Sequence, residues 1–335
     1  MSMLSAIRTD PRRRNLAILA AIAIVSVLLA VLGVWHQSAM TSQRTEAETI
    51  FPKLPGEVRK IAHIHIVSKA HGVLDIVFNP QKGWVLPQHH NYPASFETLR
   101  STVVGIAALQ AIAPSTARPD WYAKIAVDAP PKGNGTLIQL SDDQGKVLAA
   151  LIAGKTTDIG SDASGATGLY IRKPDDKQAW LARSVFEPEP DAASWLDKNV
   201  ITLDRARIQE TDVTPITGPA FSARRNTPND PFTLTPIPAN RELAFDGAGE
   251  SIAAAITNFT FDDVRPATDL DFSTAPKIVT HTFDGLTVTV QIVTEGPDFW
   301  ATVYAEGNPC MPYTEAEART IDAHANGWAY KLPDY

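Results

Sequence analysis

The segment LAILAAIAIVSVLLAVLGV, Leu16 to Val34, runs for 19 residues without a charged side chain. As a helix it would extend about 28 Å, close to the hydrocarbon thickness of a bilayer. Arg8, Arg12, Arg13 and Arg14 lie just before it, and basic flanks stay on the cytoplasmic side. A cleaved signal peptide is the competing reading. Its apolar core is usually about 7–15 residues long and ends at small residues. The core here is longer, and WHQSAMTSQ offers only a poor cleavage site around Ser38 and Ala39. Length therefore favours an uncleaved anchor. A lipoprotein is excluded, because the single cysteine, Cys310, is far from the segment. The expected layout is a basic cytoplasmic tail (1–15), a transmembrane helix (16–34), a polar stalk with prolines at 52 and 55 (35–56), and an exported body.

Charge narrows the partners of that body. The chain has 30 basic and 37 acidic residues; setting aside the four arginines and Asp10 before the anchor leaves 26 against 36, a formal charge of −10. Nucleic acid and anionic lipid headgroups would both repel such a surface. One cysteine can form neither an internal disulfide nor a cysteine-based zinc site, so the body must rest on its hydrophobic core.

The periodicity of the body changes repeatedly. KIAHIHIV (60–67) and GVLDIVF (72–78) alternate as neighbouring strands, and Gly83 to Leu86 reads as a short third. PASFETLRSTVVGIAALQAI shifts to helical spacing through Phe96, Leu99, Val103 and Ile106, with Ser95 as N-cap. Strand pairs are predicted over 136–154 and over 168–183, the latter about Pro174-Asp175. EPEP (187–190) cannot continue a sheet, since proline lacks an N–H and restricts its neighbour. It reads as a joint, with Asp191 capping a short turn that Trp195 and Leu196 anchor. Beyond it the order of strands, helix and meander returns. DVTPITGPAFSARR and FTLTPI supply short strands, and GAGESIAAAITNF carries Ile252, Ile256 and Phe259 at helical spacing. PKIVTHTFDGLTVTVQIV is a hairpin about Asp284-Gly285, and FWATVYAEG is a further strand. Thr314 to Glu317 has capping-box spacing ahead of a helix running to about Gly327. The expected architecture is α+β: an N-terminal transmembrane helix, then a duplicated antiparallel-sheet-plus-helix body with repeats at 57–198 and 199–335.

SWLDKNVI, NYPASFETLRSTVVGIAAL, FDDVRPA (261–267) and GWAYKLP (327–333) occur in an order that resembles the bacterial family labelled domain of unknown function 4340. The resemblance covers the chain from about Glu57 onward. It implies a single anchor in the bacterial inner membrane, a periplasmic α+β body, and neighbours among components of gliding-type auxiliary ABC transport systems. It brings no catalytic residue with it.

Candidate chemistry is sparse. His63 and His65 alternate on one strand and so share a face, and Asp75 on the next strand could complete a three-ligand metal site. The plainer alternative places both histidines on a solvated face opposite Ala62, Ile64 and Ile66. His71, His89 and His90 lie nearby in sequence. AGKTT (153–157) fails as a phosphate loop, because Ala149 stands where the motif needs glycine. Ser161 and Ser164 lack the strand–turn–helix setting of a nucleophile elbow. Glu187 and Glu189, held extended by prolines, lack the burial that separates the pKa values of an acid/base pair. Trp84, Trp180, Trp195, Trp300 and Trp328 read as core aromatics. The expected function is a single-pass, non-enzymatic accessory or scaffold subunit without cofactor, belonging to a membrane complex such as an ABC-type transport assembly. Two alternatives stand beside it: a periplasmic module binding ligand in a cleft between the repeats, and a metal-dependent hydrolase built on the His63/His65 region.

Overall fold

The computed structural model describes residues 48–333, except 161–164, 238–241, 244 and 258. The apolar run Leu16 to Val34 lies outside the described residues, and among those described no helix is long and apolar enough to cross a membrane. Two large antiparallel sheets with a few helices form an α+β body. The first half contributes β1 (Ile61–Ser68), β2 (Gly72–Asn79), β3 (Gly83–Leu86), β4 (Tyr92–Pro93), β5 (Gln110–Thr116), β6 (Thr136–Asp142), β7 (Val147–Thr157), β8 (Thr167–Arg172) and β9 (Ala179–Ser184). The second contributes β10 (Ile208–Thr214), β11 (Phe221–Arg224), β12 (Thr233–Thr235), β13 (Asp263–Pro266), β14 (Lys277–Thr282), β15 (Thr287–Glu295), β16 (Asp298–Glu306) and β17 (Trp328–Lys331).

The two sheets have the same strand order. The first runs β4-β3-β2-β1-β6-β7-β8-β9-β5 and the second β12-β11-β10-β14-β15-β16-β17-β13. Without the two-residue β4, each is a three-strand meander, a crossover to the far edge, and a four-strand meander back. The match extends to local irregularities. The register between β1 and β6 shifts between Ile61 and His63, and that between β10 and β14 shifts between Ile208 and Glu210. The following turns also agree: the Asp142 and Thr282 amides donate to the carbonyls of Lys146 and Leu286, at 3.0 and 2.9 Å.

Each bulge resets the alternation of its strand. A bulge places two residues opposite one, so Ile61 joins Ile64 and Ile66 in the core while Ala62 stays half-buried. Strict alternation had grouped Ala62 with the two isoleucines. In β10 the same device buries both Ile208 and Thr211.

The helices are α1 (Leu54–Glu57), α2 (Phe96–Ala107), α3 (Pro119–Ile125), α4 (Ala248–Ala254) and α5 (Pro312–Ala325). Ser95 caps α2 by accepting from the Thr98 amide at 3.2 Å. α5 begins two residues before Thr314, so no capping box forms. The Thr314 hydroxyl lies inside the first turn and donates to the Met311 carbonyl at 2.9 Å. The halves also differ in their helices. Among the described residues the crossover of the second half carries only one α-helix, the seven-residue α4, and the longest helix of that half, α5, is inserted between β16 and β17. Segment 48–56, read from sequence as the end of the stalk, packs into the body: Ile50, Phe51 and Leu54 are buried, and the Ile50 amide donates to Leu109 at 3.0 Å.

The joint between the sheets spans Val185 to Arg207. One 3-10 turn, Ala192–Trp195, is capped by Asp191 through the Ala193 amide. Trp195 is fully buried, its indole N–H donating to the Glu189 carbonyl at 2.8 Å, and its own carbonyl accepts from the Ser95 amide at 2.7 Å. The EPEP segment is thus strapped across the N-terminus of α2.

Candidate metal centre

β1 and β2 pair with His65 directly opposite Asp75 and His63 opposite Val77. Residues paired across an antiparallel ladder share a face, so both imidazoles and the carboxylate meet on the face away from Ile64 and Ile66. One oxygen of Asp75 lies 2.8 Å from His63 Nε2 and 2.7 Å from His65 Nδ1. The three ligand atoms lie within 4.8 Å of one another. The other Asp75 oxygen accepts from the Gln88 amide at 2.9 Å. All three side chains are about one-third exposed, so solvent reaches the cluster. Partial burial alone would raise the Asp75 pKa, but the hydrogen bonds from His65 and His63 outweigh it and hold the carboxyl below its ordinary value.

Gln88 sits on the 3-10 turn Pro87–His89, whose next residue faces the other half: His89 Nδ1 lies 2.8 Å from Asp263 Oδ1 at the start of β13. Burial pushes the Asp263 pKa up, and the bond from His89 with that from the Val264 amide brings it below the ordinary value. Beside this pair an aromatic group joins the halves. The Tyr92 ring packs edge-on against Phe261, Trp328 and Tyr330, with centroids 5.9, 5.1 and 6.2 Å away. Tyr92, Phe261 and Tyr330 are fully buried, so packed rings fill the junction at this point.

The remaining sequence candidates lie apart from the cluster. His71 is 3.8 Å from Asp191 on the joint, and His90 turns the chain at φ 57°. Gly154 does not end a strand. It lies inside β7, where a Cβ would stand 2.2 Å from the Ile125 carbonyl oxygen, so the glycine permits close approach of α3. Ser161 and Ser164 lie outside the described residues. Glu187 is exposed, and the Glu189 carbonyl is used to hold Trp195. Of the chain's seven tryptophans, the five singled out from sequence pack on the core, Trp195 and Trp300 within it and the other three partly buried against it.

Sequence reasoning missed three features. On the second sheet Asp212 accepts from the Ser222 hydroxyl and lies 3.5 Å from His281 Nε2. The carboxylate stands between the other two, so no imidazole is placed to take the serine proton, as acyl-transfer chemistry requires. Two buried arginines serve the chain itself. Arg225 donates to the carbonyls of Ile208, Pro228, Arg205 and Ala206, and Arg172 to those of Val127, Lys173, Pro174 and Asp176. Third, two apolar hollows of about 190 and 340 Å³ adjoin on the second sheet, sharing Ile292 and Leu332. Ile216 and Phe299 in the larger one are 72% and 49% exposed, more than a folded core leaves uncovered. The periodicity of β15 signals its apolar residues but not the shortness of the helix above them.

The profile of a family described as Domain of unknown function (DUF4340) matches residues 84–275, more than half of the chain. No curated protein and no solved structure matches.

Proposed function

The chain belongs to the DUF4340 family, and from that premise we propose that it is a membrane-tethered, non-enzymatic accessory subunit whose exported body docks on a membrane transport assembly of the ABC type. The observation that carries the docking role is the apolar double hollow on the second sheet, with Ile216 and Phe299 exposed at its mouth. An uncovered apolar surface of this kind suits an exported segment of a partner subunit. The tether rests on the uncharged run Leu16 to Val34 with its preceding arginines, which also sets the N-terminus in the cytoplasm and the body in the periplasm. The shared strand order, bulge and turn of the two sheets support an origin by internal duplication, with the joint near EPEP.

A photo-crosslinking residue at Ile216 or Phe299, irradiated in intact membranes and followed by mass spectrometry, tests the docking. Transport components are expected at these positions and not at Val73 on β2. Equal labelling at Val73, or a body reachable only from the cytoplasmic side, would overturn the reading.

A further inference from the structure

We propose that His63, His65 and Asp75 bind one divalent first-row transition-metal ion, zinc foremost, with Gln88 as the positioning residue for the carboxylate. The site is separate from the docking surface, which lies on the other sheet, so either can fail without the other.

The repeat supplies the first argument. The equivalent bulges align His63 with Glu210 and His65 with Asp212, and the pair His65–Asp75 with Asp212–Ser222. The second sheet builds the same strands without imidazole at either position. Nothing in the architecture therefore requires two histidines at the first, and the three-ligand set is particular to one half.

The second argument is geometric. Zinc binds imidazole nitrogen and carboxylate oxygen at about 2.0–2.2 Å, which sets ligand atoms on tetrahedral corners about 3.3 Å apart. The two separations to Asp75 are 2.8 and 2.7 Å. An ion entering among the three atoms needs the carboxylate to retreat by about half an ångström, and the two nitrogens, no more than 4.8 Å apart, to adjust toward the same spacing by rotation of their rings. Both imidazoles rise from one rigid strand, and no other hydrogen bond holds either ring among the described residues. On binding, each ring carries its proton on the far nitrogen and presents the near lone pair to the ion. The step involves no change of oxidation state. Two neutral imidazoles and one carboxylate leave a divalent site with one positive charge and an open position for water.

The ligand set also selects the cation. Calcium takes six to eight oxygen ligands, and magnesium is held through carboxylates and its retained waters; a site with two nitrogens and one carboxylate suits zinc, cobalt, nickel or copper instead. Gln88 supplies the outer hydrogen bond that such carboxylate ligands ordinarily receive.

The test uses the full chain without a histidine tag, stripped with chelator in detergent and titrated with Zn²⁺ by calorimetry and with Co²⁺ by visible absorption. One equivalent is expected to bind, with the intense bands of a low-coordinate cobalt site, and Ca²⁺ and Mg²⁺ should not compete. His65→Ala and Asp75→Ala should each lower affinity at least about 100-fold, and Gln88→Ala about 10-fold. His71→Ala and His281→Ala should leave binding unchanged. His65→Gln, which keeps side-chain bulk, guards against loss of fold, checked by circular dichroism. Absence of saturable one-equivalent binding, or equal affinity in the His65 and Asp75 variants, would sink the proposal.

Discussion

Gly105, in the middle of α2, sets two rules against each other. Replacing an interior helix glycine with alanine ordinarily stabilises by about 1 kcal/mol. Here the new methyl would lie 2.5, 2.6 and 2.7 Å from Cδ1, Cβ and Cγ of Phe186. Carbon atoms rest at about 3.5–4.0 Å, so the overlap is close to 1 Å. The ring cannot swing clear, because its own Cβ is among the atoms struck. Its backbone is also pinned at both ends: the Ser184 hydroxyl accepts from the Phe186 amide at 3.2 Å and donates to its carbonyl at 2.8 Å. Overpacking of this kind costs about 1–3 kcal/mol. Since Phe186 is buried against the core, the upper part of that range applies, and Gly105→Ala should destabilise by about 1–2 kcal/mol net. Urea unfolding followed by tryptophan fluorescence on the full chain in detergent reads the difference directly. In a Phe186→Ala background, where Cγ and Cδ1 are gone and only Cβ remains, the loss caused by the same change should shrink. A Gly105→Ala protein as stable as the parent, or the same loss in both backgrounds, refutes the packing argument.

Arg225→Met should cost about 3–5 kcal/mol, because four carbonyls lose a buried cation, and the urea midpoint should fall without a change in slope. Asp263 and Asp284 both titrate below the ordinary 3.8 in the folded protein: burial is overcome by His89 in the first case, and by Thr282 and Arg207 in the second. A depressed folded-state pKa gives stability that is complete above the unfolded value and lost as pH falls through the folded one. Acid unfolding should therefore set in below about pH 4, and Asp284→Asn should flatten the stability profile there while lowering stability at neutral pH. Gly154→Ala should detach α3 from β7, seen as faster amide exchange in 119–127, since the methyl would meet backbone rather than a yielding side chain.

The strands of this body were legible where one face is wet. KIAHIHIV and GVLDIVF alternate cleanly, and β1 and β2 fall within a residue or two of the predicted runs. Their shared face places His63, His65 and Asp75 together on sequence alone. What escaped was structure set by contacts distant in sequence. β5 contains Pro114, a residue that argues against a strand, and survives as an edge strand, where a missing N–H is tolerated. GWAYKLP becomes β17, held between β16 and β13, and four residues have too little pattern to announce a strand alone. The Asp284-Gly285 turn was expected to span two residues. The connection instead runs from Phe283 to Leu286, closed by the Thr282 hydroxyl accepting from the Leu286 amide at 2.8 Å. The buried arginines were invisible because nothing local distinguishes an arginine that will meet four carbonyls from one on the surface.

The equivalence of the sheets gives every position in one half a reference in the other, and their differences are more informative than their likeness. Where β1 has two imidazoles, β10 has carboxylates paired with serine and arginine. Where α2 covers the first sheet over twelve residues, α4 covers the second over seven, and the apolar hollow lies where the longer helix has no counterpart. Burial of those uncovered residues would normally stabilise a domain by about 25 cal/mol per Å², so a shortened helix carries a stability cost that packing within the chain does not recover. Tyr92 of β4, Phe261 just before β13 and Tyr330 of β17 form one buried aromatic group across both halves, which keeps the two specialised faces in fixed register. A variant loosening it, Tyr92→Leu, should therefore lower crosslinking at Phe299 and metal affinity at His65 together. Loss of one with retention of the other would show that the halves act as independent modules.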